Sequence, residues 1–180
     1  MIDPAVGALI LASLALLFAT ASWHKLRSLA EFEAVLVNYR LVPGALAPLL
    51  RLLVPALELG IAIGLLLAPT REAAALTGIV VLLGYAAAIG INLARNRRDL
   101  DCGCGPRRDR RSIAAWMVGR NLVLAAVLGG ALLPSSGRAL EAVDALTIGG
   151  SVAILALLYV AIDQLLGEVR PRAAALRRPA

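Results

Sequence analysis

The chain is poor in aromatic residues, in charge and in cysteine. Of its 180 residues, 4% are aromatic and 17% charged, with two cysteines and one histidine. Soluble domains carry about 25% charged and about 45–50% apolar residues. Here 60% are hydrophobic, mostly Leu, Ala, Val and Ile in long runs with 16 glycines among them. That balance excludes intrinsic disorder, which needs low hydrophobicity and high charge. Two cysteines are too few for a disulfide-stapled secreted module. Uncharged runs exclude a coiled coil, whose flanking positions carry charge. No run alternates with period two, so a membrane β-barrel is excluded as well.

What is present is a set of stretches suited to crossing a bilayer. Residues 4–24, 73–94, 121–137 and 145–162 carry no charge, and 52–70 is broken only by Glu58. A helix rises about 1.5 Å per residue, so a hydrocarbon core of about 30 Å takes roughly 20 residues. The sequence predicts spans near 5–23, 46–68, 73–93, 113–133 and 146–166. They form one integral membrane domain over 1–168, followed by a basic tail at 169–180. The links 69–72 and 134–145 are short, so the helices they join are antiparallel neighbours. The first span is not a cleaved signal, because residues 1–4 carry no positive charge and the run is too long.

Charge orients this all-α, polytopic bundle. Five spans put the N-terminus and the links 69–72 and 134–145 on one side, with Arg71 and Arg138. The other side holds Lys25, Arg27, Arg40, Arg95, Arg97, Arg98, Arg107, Arg108, Arg110, Arg111, Arg170, Arg172, Arg177 and Arg178. Fourteen basic residues against two put the N-terminus outside and the C-terminus in the cytoplasm. The net charge of +6 then answers anionic lipid head groups. A nucleic-acid partner is not expected, for there is no soluble basic face with aromatics and no known motif.

Between the first two spans, Ser28 and Glu31 have the spacing of a capping box. Phe32, Val35, Leu36 and Tyr39 fall on one helical face, and Pro43 and Gly44 stop the run. The segment 29–42 reads as a short amphipathic helix on the cytoplasmic surface; a polar loop is the alternative.

Polar residues inside spans are costly. A charge at the bilayer centre costs about 2.5–3.5 kcal/mol on insertion scales. Glu58 lies near the middle of the second span and must be protonated or paired. Arg120, roughly 12 Å in from the end of the fourth span, is the expected partner. Arg51 enters the second span, and Asn92, Asn121 and Asp163 lie toward the cytoplasmic ends of theirs. Pro55 cannot donate to the carbonyl of Arg51 and should kink the helix. Glu58, Arg120, Arg51 and Asn121 therefore outline an intramembrane polar pocket, or else a Glu–Arg pair that merely locks two helices. His24 and Lys25 read as interface anchors.

The two cysteines stand together, Cys102-Gly103-Cys104-Gly105-Pro106, in the Arg-rich link between the third and fourth spans. One use is a reversible dithiol, since a disulfide across one residue is strained and therefore labile. Arg107 and Arg108 favour thiolate, and Asp99 and Asp101 oppose it. A second use is a soft-metal site for Cu, Zn or Hg, although two thiolates do not complete a zinc site. The third reading is two reduced cysteines with no task.

Four blocks together give a resemblance. They are His24-Lys25-Leu26-Arg27 with Phe32, Tyr39 and Pro43; Pro55-Ala56-Leu57-Glu58-Leu59-Gly60; Cys102-Gly103-Cys104-Gly105; and Arg120-Asn121 opening a helical run. In order and spacing they resemble the methylamine utilisation protein MauE family of DoxX-like integral membrane proteins over about 5–135. The resemblance implies a four-helix core with a fifth, C-terminal spanning helix, in a bacterial plasma membrane. It implies a part in maturing the β-subunit of methylamine dehydrogenase, beside a thioredoxin-like partner or a secreted disulfide-containing protein. It makes Cys102 and Cys104 the candidate catalytic pair of a thiol–disulfide oxidoreductase, and Glu58 and Arg120 an internal polar pair.

The orientation and this role pull apart, because the charge count puts the cysteines in the cytoplasm. Either electrons cross the membrane, or the loop dips into the bundle, or the pair handles a cytoplasmic thiol or metal. The chain has no haem, flavin or iron–sulfur signature, so a quinone or a partner thiol would be the other redox party. Three functions stay open: a membrane thiol–disulfide protein, a soft-metal transport or delivery protein, and a non-catalytic assembly subunit of a redox complex.

Overall fold

The computed structural model describes residues 2–97, 100, 113–134 and 138–175, with side chains as far as Ile162. Their regular elements are helices: α1 (Pro4–Arg27), α2 (Leu29–Tyr39), α3 (Ala47–Leu66), α4 (Arg71–Ala94), α5 (Ala115–Gly130) and α6 (Ala142–Ala175). Short 3₁₀ turns at Gly44–Leu46 and Ala68–Thr70 lead into α3 and α4.

Local chemistry sets the ends. Asp3 caps α1, its carboxylate accepting the Ala5 N–H at 2.8 Å, with Pro4 at the first helical position. Helix α2 stops where Arg40 turns left-handed at φ 49°, and α4 stops before Asn96 at φ 56°, a residue type that tolerates that region. The expected capping box at Ser28 does not form at the serine: its side chain makes no capping hydrogen bond, and its N–H donates to the Lys25 carbonyl at 3.2 Å.

Helices α1, α3, α4 and α5 form a closed ring, with α1 against α3, α3 against α4, α4 against α5 and α5 touching α1. This is the four-helix core with a fifth helix outside it, for α6 lies along α1. The outward side chains of α6, such as Val143, Leu146 and Leu157, are apolar and exposed, as a lipid-facing helix requires.

The core is layered. Toward the N-terminal end, Leu11, Leu14, Phe18, Ile61, Leu65, Leu82 and Leu128 pack into one apolar cluster. Gly78 lies at its centre. A Cβ there would stand 2.9 Å from Leu128 and 3.3 Å from both Ile61 and Phe18, so four helices converge on its bare backbone. Gly64 meets Ala74 in the same way. Small residues let membrane helices approach where lipid supplies no hydrophobic drive. At the opposite end, where α1 finishes and α4 hands over to α5, Tyr39, Ile89, Ile113, Ala114 and Met117 form a second cluster.

The N-terminal end is fastened by polar contacts. The Ile2 N–H donates to the Pro134 carbonyl at 3.0 Å. Arg138 bridges Asp3 at 3.1 Å and Asp144 at 2.7 Å, tying α1 to the start of α6.

Helix α2 lies with its apolar face on α3, Phe32 and Tyr39 buried and Glu31, Val37 and Asn38 exposed. Two elements differ from expectation. Helix α5 has 16 residues, short of the roughly 20 that span a bilayer without local thinning. Helix α6 has 34 and continues into the segment read as a tail.

Candidate functional site

Between the two apolar clusters lies a buried polar layer. From α1 come Ser22 and Lys25, from α3 Glu58 and from α5 Asn121, all less than 5% exposed. Tyr85 of α4 reaches into the same layer. Helical geometry sets the register. Lys25 falls seven residues after Phe18, Glu58 three residues before Ile61 and Tyr85 three residues after Leu82, so each follows its apolar neighbour on the inward face.

Glu58 is held from two helices. The Lys25 ammonium donates to both carboxylate oxygens, at 2.6 and 2.8 Å. The Tyr85 hydroxyl donates to Oε1 at 2.6 Å. The ammonium also sits 5.3 Å from the Tyr85 ring centre and 5.5 Å from that of Phe32. A carboxylate and two aromatic faces thus enclose one cation, an arrangement that gains strength when dry. Lys25 is the single lysine of the chain; every other basic residue is arginine. One helix turn away, the Ser22 hydroxyl donates to the Pro55 carbonyl at 2.8 Å and ties α1 to α3 again.

The partner of Glu58 is therefore Lys25 and not Arg120. Lys25 lies near the end of α1, where sequence makes it an interface anchor, but α2 folds back over that end and buries it to 4%. The Arg120 guanidinium instead lies over Trp116, 5.3 Å away, and over Tyr159 of α6 at 5.9 Å. Arg51 turns to α2, where Nη1 meets Glu33 at 2.6 Å. Asn121 donates back to its own helix, at the Met117 carbonyl 3.0 Å away. Helix α3 runs unbroken through Pro55. The four predicted pocket residues thus separate: Glu58 is in the charged cluster, Asn121 shares its layer, and Arg51 and Arg120 face other helices. Lys25, Tyr85, Phe32 and Ser22 take the remaining places. His24 is half-buried beside Lys25.

Cys102 and Cys104 lie outside the described residues, as does the side chain of Asp163, but the base of the cysteine loop is described. The Ile113 N–H donates to the Leu100 carbonyl at 2.9 Å, which brings the two ends of the 101–112 link together. Arg97 donates to the Asn92 side chain at 3.2 Å and to the Tyr39 carbonyl at 3.4 Å. Ile113 and Ala114 are at most 2% exposed. The residues that flank this link, Leu100 and the buried Ile113, are thus joined at the same end of the bundle as the Lys25–Glu58 cluster. Among the described residues, no group of three or more His, Cys, Asp or Glu side chains is placed to hold a metal.

Comparison with known proteins agrees with the blocks in the sequence. The family described as methylamine utilisation protein MauE matches residues 3–134. Methylamine utilization protein MauE of Methylophilus methylotrophus is 38% identical, over 92% of this chain and 88% of its own. The protein of the same name from Methylorubrum extorquens is 40% identical, over 88% of this chain and 85% of its own. No solved structure matches the chain.

Proposed function

The chain belongs to the methylamine utilisation protein MauE family, and from that membership we propose that it is a membrane thiol–disulfide protein. Its Cys102–Cys104 pair exchanges with a thioredoxin-like thiol on its own, cytoplasmic side, and so supports, without direct contact, maturation of a disulfide-containing extracytoplasmic protein in methylamine utilisation, for which we propose the β-subunit of methylamine dehydrogenase. The observation that carries the reading is that the chain's only two cysteines are separated by one glycine, on a link whose ends are pinned at Leu100 and Ile113.

The exchange has two steps. A thiolate of the pair attacks a partner disulfide, forming a mixed disulfide and releasing one partner thiolate. The second cysteine attacks its neighbour's sulfur, releasing the other partner thiolate and leaving Cys102–Cys104 oxidised. The reverse sequence oxidises a partner dithiol. Gly103 removes the Cβ crowding that would resist so small a ring, and a strained disulfide is readily reduced.

The test is trapping. With Cys104→Ser, or with Cys102→Ser, one variant should accumulate a covalent complex that a reductant dissolves, while folding and membrane insertion are kept. If both variants complement a deletion fully and neither traps a partner, the reading is wrong. Stoichiometric copper, zinc or mercury lost in both variants would assign the pair to metal handling instead.

A further inference from the structure

We propose that Glu58, Tyr85 and Phe32 form a recognition site for a small primary alkylammonium ion, and that Lys25 is its built-in occupant, which a free ion of that class displaces. The proposal is independent of the cysteine chemistry.

The walls of the site select for this chemistry. The Lys25 nitrogen lies 2.6 and 2.8 Å from the Glu58 oxygens, and 5.3 and 5.5 Å from the ring centres of Tyr85 and Phe32. The Tyr85 hydroxyl donates to Oε1 at 2.6 Å and so holds the carboxylate beside the ring. Aromatic faces alone hold quaternary ammonium ions. A carboxylate at hydrogen-bond distance demands a cation with N–H groups to give. A quaternary ion has none, and its methyl groups keep its nitrogen from so close an approach. A guanidinium is flat, wide and delocalised. What fits is one methylene-ammonium group, and the 18 Lys and Arg residues of the chain include a single lysine, at this position.

Stability is a weak reason for such a pair. The two side chains are 3% and 1% exposed, and replacing a buried ion pair by packed apolar residues is often neutral or stabilising. Exchange of the cation is a stronger reason. Lys25 has another place to go. It stands two residues before the end of α1, in a last turn that also carries His24 and Arg27, and a long lysine stem near an interface carries its charge out to the head groups. Glu58 has no such route, and an unpaired carboxylate inside the membrane is costly. When Lys25 withdraws, the site calls for a second cation of the same shape. The cluster lies between two apolar clusters, so exchange passes through transient local opening. Small molecules do enter closed cavities in protein interiors.

The single lysine makes the test specific. Full-length protein in detergent is labelled with carbon-13 at the lysine Cε, which gives one resonance, set apart from that of the SDS-denatured chain by the two rings. The tether gives Lys25 an effective concentration on the order of millimolar or above. Methylammonium or n-propylammonium chloride should therefore move the resonance toward the denatured position, with a midpoint on the order of 10–100 mM. Tetramethylammonium chloride at the same concentration should leave it in place. Lys25→Ala removes the occupant, and n-propylammonium matches the atoms lost beyond Cβ. In that variant n-propylammonium should raise the thermal midpoint at concentrations at least about tenfold lower, because the tethered competitor is gone. Lys25→Ala combined with Glu58→Gln should show no such gain. If Lys25→Ala does not fold, the wild-type resonance decides alone. A wild-type resonance unmoved by either alkylammonium, an equal shift with tetramethylammonium, or an equal gain in the double variant would each overturn the proposal.

Discussion

The ammonium of Lys25 meets both oxygens of Glu58, at 2.6 and 2.8 Å, with the two side chains 3% and 1% exposed. Inside a membrane bundle, removing one member of such a pair strands a buried charge, which costs about 3–5 kcal/mol. Lys25→Met and Glu58→Gln should each lower the thermal midpoint and folded yield in detergent. The double variant should lose clearly less than the sum. Arg120→Gln combined with Glu58→Gln should lose the sum, because Arg120 faces Trp116 and Tyr159. Strong coupling of Glu58 to Arg120, and none to Lys25, would refute the assignment.

Tyr85 supplies the second donor to Glu58, at 2.6 Å. Tyr85→Phe keeps the ring over the ammonium and removes only the hydroxyl. Hydrogen bonds to charged groups contribute about 1.5–3 kcal/mol, so the expected loss is of that order in a thermal or denaturant titration. A neutral result would mean that Lys25 alone satisfies the carboxylate.

Gly78 and Gly84 lie on the same helix and differ in surroundings. A Cβ at Gly78 would meet Leu128, Ile61 and Phe18, whereas nothing lies within 4 Å of one at Gly84. Gly78→Ala should destabilise by about 1–3 kcal/mol through overpacking. Gly84→Ala should be neutral or slightly stabilising, because alanine is the better helix former by about 1 kcal/mol. Equal effects at the two positions would mean that the four helices do not converge on Gly78.

The tie at the N-terminal end has a pH signature. The Arg138 guanidinium, and next the Ala5 N–H, hold the Asp3 carboxyl below its ordinary value of 3.8. A depressed carboxylate contributes stability that is fully present above the unfolded value and is lost as pH falls through the folded one. The difference in thermal midpoint between wild type and Asp3→Asn should therefore be constant from neutral pH to about 5 and shrink to nothing in stronger acid. A difference that vanishes between pH 6 and 8 would point to a different group.

The basic residues make a claim about sidedness. If the charge count assigns fourteen basic residues and two to opposite sides correctly, a reporter fused after Ala180 and active only when exported should be silent. High activity there would reverse the orientation.

How much of this was legible in the sequence follows from what each feature depends on. The uncharged runs locate the spans because burial in lipid is a property of a stretch, and the family blocks are local strings. That Glu58 needs a partner is also legible, since an isolated charge at that depth is costly. Which partner it takes is not. Arg120 and Lys25 both lie within a long side chain's reach in depth, and the choice rests on how the helices are rotated and on α2 folding back over the end of α1. The pattern Phe32, Val35, Leu36, Tyr39 shows a helix with one apolar face but not whether lipid or protein covers it. Tyr85 carries no local signal: one tyrosine in an apolar run reads as core. The surplus length of α6 was hidden for a different reason, because its charged end looks like a tail although its backbone stays helical.

The most direct measurement of the central claim is the redox state of Cys102 and Cys104 in intact cells, read with membrane-permeant and impermeant thiol reagents before and after a reductant pulse. The account predicts that part of the population is a Cys102–Cys104 disulfide which is reduced and re-formed, with the thiols reached by the permeant reagent and not by the impermeant one. Two thiols that stay fully reduced under every condition would contradict the thiol–disulfide role, and labelling by the impermeant reagent would contradict the orientation.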